Sequence, residues 1–186
     1  MPEYYKNTKL ENTPPDEKRL FTLALDDIDP LVGVEIGVLN GENCRHLLNV
    51  TDHLYLHGID PLIPDSMAHN LIGTKTAIDK NTAGFEGRFE FIHDYSFHVV
   101  DRFENESLDF VFIDGSHFYD DVEKDYKLYF PKVKKGGLIF IHDSRMNRGG
   151  ANFHVGPSQL VDYIVKFDRE VDLIGEAFSL TCFKKS

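Results

Sequence analysis

The stretch LDFVFIDGSHFYDDVEKDYKLYFPKVKKGGLIFIHD, residues 108–143, decides the fold. It opens with an apolar run at 108–114, continues with a helix-like segment at 119–129, and closes with a second apolar run at 137–143. Pro131 ends the helix-like segment because proline cannot continue a helix. Short, nearly continuous apolar strands separated by a helix are typical of parallel strands buried on both faces. The stretch therefore predicts a strand–helix–strand unit.

The same alternation runs along most of the chain. The predicted strands cover 31–37, 54–60, 88–94, 108–114 and 137–143, and the predicted helices cover 17–27, 41–50, 66–81, 97–103, 119–129 and 157–167. The closing stretch VDLIGEAFSLTCF (171–183) is interpreted as two antiparallel strands joined at Gly175-Glu176. We expect an α/β, Rossmann-like, doubly wound sheet of seven mostly parallel strands, with an antiparallel C-terminal hairpin and helices on both faces.

Length and composition indicate one domain over residues 1–186, with 1–30 as an N-terminal arm and short helix. The net charge of −11, without a basic cluster, excludes a nucleic-acid partner from the prediction. Cys44 and Cys182 are far apart and suit a reducing compartment, so we expect a cytoplasmic protein. The N-terminal residues have no apolar signal region, and no apolar segment is long enough to span a membrane.

In such sheets, ligands bind beyond the carboxyl ends of the strands. The first strand ends in Glu35, Gly37 and Gly41, an ExGxxxG spacing that differs from the GxGxxG of dinucleotide-binding proteins. A carboxylate before the first glycine suits a cationic or hydroxylated ligand better than a pyrophosphate. The alternative is a glycine-rich turn with a solvent-exposed glutamate, and this segment alone does not decide between them.

The second and third strands also end in polar residues. Asp60 follows the glycine turn by some twenty residues, which is the spacing of an acid that binds ribose hydroxyls. The alternative is an ordinary Asp-Pro turn. Asp94 and Ser96 are expected near the adenine of a bound nucleoside, although either could instead cap the next helix.

The fourth and fifth strands end in Asp114 and Asp143, which we expect at the same edge of the sheet. Two carboxylates brought together there could hold Mg²⁺ through oxygen ligands. His117 can reach the same space as a general base. The alternative is that the aspartates cap helices and that His117 packs against its neighbours.

The motif VGVEIGVLNGEN and the span FIDGSHFYDDVEKDYKLYFPKVKKGGLIFIHDS resemble the class I S-adenosylmethionine-dependent methyltransferases, and within them the type-24 family. That family is similar to macrolide-sugar O-methyltransferases and, more distantly, to catechol and caffeoyl-CoA enzymes. The resemblance implies that S-adenosylmethionine contacts the glycine motif, Asp60, the region of Asp94 and Ser96, and Asp114. It also implies that Asp114 and Asp143 hold Mg²⁺ and that His117 is the base.

Three features depart from the family pattern. His142 stands where relatives have an acidic residue, and imidazole favours Mn²⁺ or Fe²⁺ over Mg²⁺. Ser144 stands where the catechol-type enzymes use asparagine. The N-terminal region is short, which indicates a bulky acceptor, a homo-oligomer whose partner covers the site, or a lost activity.

The predicted reaction is methyl transfer from S-adenosylmethionine to a hydroxyl of a small molecule or sugar, with help from a divalent metal. Residues 145–156 are expected to shape the acceptor pocket. A nicotinamide oxidoreductase is disfavoured by the glycine spacing. A nucleoside-binding or assembly module without turnover stays open, because one fold hosts many functions.

Overall fold

Five parallel strands and an antiparallel hairpin form one seven-stranded sheet in the part of the chain that the structure describes. This computed structural model describes residues 20, 24–25, 31–64, 71–144, 155–177 and 179–186. The strands are β1 Leu31–Ile36, β2 Leu54–Ile59, β3 Phe89–Ile92, β4 Leu108–Ile113, β5 Val133–Ile141, β6 Val171–Ala177 and β7 Leu180–Lys185. Their order in the sheet is β3-β2-β1-β4-β5-β7-β6. The predicted fold class is confirmed.

Helices connect the parallel strands. The described helices are α1 Glu42–Val50, α2 Lys75–Asn81, α3 Ser96–Val99, α4 Tyr119–Tyr129 and α5 Val155–Phe167. Short 3₁₀ turns at Val100–Arg102 and Phe130–Lys132 follow α3 and α4. In α2, the side chain of Thr74 accepts a hydrogen bond from the Ala77 N–H and caps the helix.

The sheet is covered by helices on both faces. Val111 and Ile113 of β4 belong to the buried cluster that includes α3, α4 and α5, whereas Phe110 and Phe112 pack in the cluster with α1 and α2. This division follows from the alternation of side chains along a strand. The carboxyl ends of the five parallel strands lie at one edge of the sheet, where the loops to the helices begin.

Several predicted boundaries were wrong, among them that of β5, which begins at Val133 and not at 137. The segment 66–81 was predicted as one helix, but residues 71–74 are not helical and the cap at Thr74 starts α2 at Lys75. The C-terminal hairpin turns after Ala177, not at Gly175-Glu176. Gly175 pairs with Cys182 within the hairpin, and the register shifts between Leu173 and Gly175. Glycine here marks a β-bulge inside a strand, which the sequence does not distinguish from a turn.

Several predictions fall outside the described residues. They concern the N-terminal arm, most of the helix at 17–27, of which 20 and 24–25 are described and helical, and most of the loop at 145–156. The assignment of residues 1–186 to one domain stays a prediction. Within the described ranges, no helix has the length and apolar character needed to cross a membrane.

Candidate active site

A cavity of about 710 Å³ opens at the carboxyl edge of the sheet. This volume lies within the range of ligand pockets, roughly 300–1,000 Å³. Residues that follow each of the first five strands line it. Of the predicted site residues, those that line the cavity are Glu35, Gly37, Asp60, Ser96, Asp114, His117, His142 and Asp143. Five separate strand ends thus contribute to one space.

The glycine turn after β1 lies directly against the end of β4. Gly37 has a left-handed backbone with φ of 88°, and a Cβ there would collide with the carbonyl oxygen of Asp114. Only glycine satisfies both conditions without strain. The close approach keeps the cavity floor free of a side chain at this point.

Asp60 organises the main chain on two sides of the cavity. Its Oδ2 accepts hydrogen bonds from the N–H groups of Val38 and Leu39, both at 2.8 Å. Its Oδ1 accepts one from the Leu62 N–H at 2.6 Å. Asp60 therefore does more than form a local Asp-Pro turn, because it joins the loop after β2 to the glycine turn after β1.

The alternative of a solvent-exposed Glu35 was wrong. Its side chain is buried on the α1 side of the sheet, where Oε2 accepts a hydrogen bond from Cys44 Sγ at 2.9 Å and Oε1 accepts one from Asn43 Nδ2 at 3.2 Å. Burial raises the pKa of Glu35 to about 8, against the opposing effect of these hydrogen bonds and with a smaller contribution from the charge of Asp114. A cationic ligand group placed beside it would favour the ionised form.

Neither Gly41 nor Asp94 lines the cavity among the described residues. Gly41 has φ of 78° and occupies the N-cap position of α1. The carboxylate of Asp94 accepts a hydrogen bond from the Tyr95 N–H at 2.7 Å and lies 2.8 Å from Nδ1 of His98. The structure does not bring these two predicted residues to the cavity wall.

Ser96 faces the cavity and does not cap α3. Tyr95 occupies the N-cap position without a side-chain hydrogen bond. The hydroxyl of Ser96 donates to Oδ1 of Asp125 at 2.5 Å. The capping alternative for Ser96 was therefore wrong.

Asp114, His142 and Asp143 form a compact group of potential metal ligands. One ligand atom from each residue lies within 4.8 Å of the others. Nδ1 of His142 is 3.0 Å from Oδ1 of Asp114 and 3.4 Å from Oδ2 of Asp143. Burial raises the pKa of Asp114, and the charge of His142 opposes the rise. Two carboxylates and an imidazole fit a hydrated divalent cation of the Mn²⁺ or Fe²⁺ type, and also Mg²⁺ through the oxygens.

The hairpin orients this group. Oγ of Ser179 lies 3.3 Å from Nε2 of His142, on the side of the ring away from the carboxylates. When Nε2 carries the hydrogen, Nδ1 presents a lone pair toward the two aspartates. Ser144, which stands where the catechol-type enzymes use asparagine, lies 2.7 Å from Thr181 Oγ1 and donates to the carbonyl of Ser179. Its hydroxyl faces the hairpin.

His117 is held between two loops and a helix. It is 8% exposed, and its Nε2 lies 2.7 Å from Oδ2 of Asp143. A Cβ on Gly156, in the first turn of α5, would collide with the His117 carbonyl oxygen. This close packing fixes the main chain of His117. The alternative, in which His117 only packs against its neighbours, does not account for the contact with Asp143.

The backbone is strained at two points of the cavity wall. Leu39 and Asp143 both have φ of 52°, in the left-handed region. This conformation costs an L-residue roughly 1–2 kcal/mol. Such strain persists where surrounding contacts enforce it, and it is concentrated at functional sites.

Several lining residues were not predicted from the sequence. They are aromatic or charged side chains of the α3 and α4 region, namely Phe97, Phe118, Asp121, Lys124 and Asp125. Asp125 could have been predicted from the helical period, because it falls between Val122 and Tyr126 on the buried face of α4. A carboxylate in an apolar stripe indicates a specific partner or a function.

The family follows from a comparison of sequences. A family model described as a methyltransferase domain, of type 24, matches residues 34–144, more than half of the chain. The chain belongs to this methyltransferase family. The match begins within β1, runs past the end of β5, and includes every residue predicted to bind the cofactor or a metal or to act as the base.

A curated viral protein is similar to part of this chain. The uncharacterized protein R132 of Acanthamoeba polyphaga mimivirus is 33% identical over 123 residues, which are 62% of this chain and 52% of that protein. The chain spans about half the length of this relative.

Solved structures share the fold at low sequence identity. An O-methyltransferase from Bacillus cereus, in complex with S-adenosylhomocysteine (SAH), superposes with a TM-score of 0.65 and 14% identity, covering 90% of this chain and 80% of that chain. The MycE methyltransferase of the mycinamycin biosynthetic pathway, in complex with Mg, SAH and mycinamycin VI, has a TM-score of 0.62 and 19% identity. That comparison covers 91% of this chain and 48% of MycE. These likenesses establish the methyltransferase fold.

Proposed function

We propose that this protein is an S-adenosylmethionine-dependent O-methyltransferase that acts on a hydroxyl of a small molecule or sugar. The observation that carries the proposal is the single cavity that joins the glycine turn after β1, Asp60 after β2, and the His117–Asp143 pair. A donor site and a proton acceptor in one space are what transfer of a methyl group to a hydroxyl needs.

The charge of the cavity supports this cofactor over a dinucleotide. Among its described lining residues there are seven acidic side chains and one lysine: Glu35, Glu42, Asp60, Asp114, Asp121, Asp125, Asp143 and Lys124. Even with Glu35 protonated at neutral pH, as its raised pKa favours, such a lining attracts a sulfonium and an ammonium group and repels a pyrophosphate.

The glycine turn and Asp60 are the proposed cofactor-binding elements. The turn offers an open backbone surface, since no Cβ fits at Gly37. Buried Glu35 suits the ammonium end of the amino-acid moiety, and Asp60 keeps lone pairs for ribose hydroxyls besides its bonds to main-chain N–H groups. Bound S-adenosylmethionine supplies a methyl group that its sulfonium centre already activates.

His117 is the proposed general base. As the acceptor oxygen forms its bond to the methyl carbon and the bond from carbon to sulfur breaks, the hydroxyl proton passes to the imidazole of His117. The adjacent carboxylate of Asp143 stabilises the imidazolium that results. Burial of the pair strengthens this interaction because water screens it less.

Asp114, His142 and Asp143 are the proposed ligands of a divalent cation. When bound, such a cation would orient the acceptor hydroxyl and lower its pKa. Oδ2 of Asp143 also contacts His117, so the same carboxylate links the proposed metal site to the proposed base. Imidazole as one ligand favours Mn²⁺ or Fe²⁺ over Mg²⁺.

The proposal is tested by transfer of labelled methyl groups. The protein is incubated with methyl-labelled S-adenosylmethionine and a panel of catechols, phenols and sugars, with and without Mg²⁺ or Mn²⁺. Label in a methyl ether, with one equivalent of SAH, would support the proposal. Binding of SAH without transfer to any acceptor would favour a nucleoside-binding module, and absence of binding would overturn both.

The cytoplasmic location also stays a proposal. Cys44 and Cys182 are both buried free thiols, as expected in a reducing compartment.

A further inference from the structure

Asp125 is a buried carboxylate that the proposed methyl transfer does not use. It is 6% exposed and lies on the inner face of α4 with Val122, Tyr126 and Tyr129. It also lines the cavity. Burying an ionisable group on an apolar face is unfavourable unless a partner or a ligand compensates for the lost hydration.

One oxygen of Asp125 is anchored and the other is available. Oδ1 accepts the hydrogen bond from Ser96, and the hydroxyl of Tyr129 donates to the Ser96 carbonyl at 2.9 Å. Oδ2 has no hydrogen-bond partner within the described ranges, and it lies 3.9 Å from the position that a Cβ would occupy on Gly115. The available oxygen is thus fixed between the start of α3 and the end of β4.

The anchored oxygen of Asp125 contacts Ser96, which follows β3, and this is the side of the cavity to which we assign the base of the proposed cofactor. In the sheet order β3-β2-β1, the methionine moiety at β1 and the ribose at Asp60 after β2 direct the base toward the end of β3. Tyr95 and Phe97 follow β3, line the cavity, and have ring centroids 5.2 Å apart. Aromatic faces of this kind suit a stacked base.

The aromatic pair has charged neighbours on α4. Lys124 Nζ lies 3.3 Å from the centroid of the Phe97 ring, and Asp121 accepts a hydrogen bond from the Ser116 hydroxyl at 2.7 Å. Lys124 and Asp121 thus have other contacts, although the charges of both also act on Asp125. The free oxygen of Asp125 can accept a hydrogen bond from an edge of the base.

We propose that Asp125 selects adenine over 6-oxopurines by accepting a hydrogen bond from the exocyclic amino group of the cofactor base, an inference that rests on the proposed function. An ionised carboxylate only accepts hydrogen bonds, so it matches an amino group and repels a carbonyl oxygen at the same position. Burial raises the pKa of Asp125 to about 6, which leaves it ionised at pH 8. A lost charge-assisted bond corresponds to a discrimination of roughly 10–100-fold.

The test compares two ligands that differ only at this group, SAH and S-inosylhomocysteine. Calorimetric titrations at pH 8 use the wild-type chain, Asp125→Asn, and Asp120→Asn as the matched control, since Asp120 is exposed on the same helix and is not among the cavity-lining residues. The wild type and the control should prefer SAH by about 10–100-fold. In Asp125→Asn the ratio should fall toward unity or reverse, because an amide can also donate to a 6-oxo group. Asp125→Ser provides a second uncharged variant, with the same expectation, should the amide not be tolerated.

Two outcomes would overturn the inference, and they are distinguishable. Equal weakening of both ligands, with an unchanged ratio in a folded Asp125 variant, would make Asp125 a structural anchor of α3. Absence of binding of either ligand to the wild type would refute the proposed function and the inference with it.

Discussion

Nε2 of His117 lies 2.7 Å from Oδ2 of Asp143, across the loops that follow the neighbouring strands β4 and β5. The two side chains are 10% and 15% exposed. The contact places a carboxylate where it can stabilise the imidazolium that forms when His117 accepts a proton. The same contact places the proposed base beside the proposed metal ligands.

Replacing His117 by alanine is expected to lower turnover by about 10²–10⁴-fold, the usual contribution of a positioned general base. SAH should bind with unchanged affinity, because none of the proposed cofactor contacts is lost. Initial rates and calorimetry measure the two effects. The control His53→Ala, at an exposed position before β2 and at the opposite edge of the sheet, should keep full turnover. Full turnover of a folded His117→Ala chain would rule out the base.

Replacing Asp114 by alanine is expected to abolish binding of added Mn²⁺. The change removes one of the two carboxylates in the proposed ligand group, and one carboxylate with an imidazole holds too little charge for a hydrated divalent cation. Calorimetric titration with Mn²⁺ measures this independently of activity. The control is Asp121→Ala, which changes a cavity-lining carboxylate outside the ligand group. Equal Mn²⁺ affinity in the Asp114 variant and the wild type would exclude this site.

Replacing Asp60 by alanine should weaken SAH binding by about 1–3 kcal/mol, the scale of a lost charge-assisted hydrogen bond. It should also lower the free energy of unfolding by roughly the same amount, since the N–H groups of Val38, Leu39 and Leu62 lose their acceptor. Denaturant unfolding and calorimetry separate the two effects. Asp52, whose side chain is 98% exposed, is the control for removal of an aspartate. Unchanged SAH affinity in a folded Asp60 variant would remove Asp60 from the binding site.

Asp125→Asn should stabilise the protein at neutral pH. Burial raises the pKa of Asp125 from 3.8 to about 6, so the folded state binds its proton more tightly than the unfolded chain does. Stability is therefore lost as the pH rises through this interval, by on the order of 3 kcal/mol. Asparagine keeps an oxygen for the Ser96 hydroxyl and does not titrate.

Denaturant unfolding of both proteins at pH 4 and pH 7.5 tests the Asp125 prediction. The difference in unfolding free energy between the wild type and the variant isolates the contribution of Asp125, because Glu35 and Asp114 are present in both proteins. The variant should have a clearly larger free energy of unfolding than the wild type at pH 7.5, and a similar one at pH 4. A difference that does not change with pH would show that Asp125 does not carry the predicted pKa shift.

Where the order of the strands alone determines which residues meet at the site, the sequence predicted the contact. Asp114 and Asp143 end neighbouring parallel strands, so their proximity follows from the βαβ pattern alone. The burial of Glu35 did not follow, because it depends on Cys44 and Asn43 of α1 turning back over the end of β1. Contacts of this kind depend on tertiary packing and have no local signature.

Two further features could not be predicted from local sequence patterns. A glycine such as Gly175 is common both in turns and in β-bulges, and only its pairing with β7 identifies it as part of a bulge. Asp125 was not predicted, although the period of α4 agrees with its place on the buried face, and its partner Ser96 is 29 residues away in the chain. The sequence could therefore indicate an unusual buried acid without indicating its partner.

Calorimetric titration of the wild-type chain with SAH tests the central claim most directly, with NADH as the comparison ligand. We expect one SAH to bind per chain, and NADH to bind much more weakly, because the cavity is acidic and its glycine turn lacks the dinucleotide spacing. No measurable binding of SAH, or tighter binding of NADH than of SAH, would contradict the account.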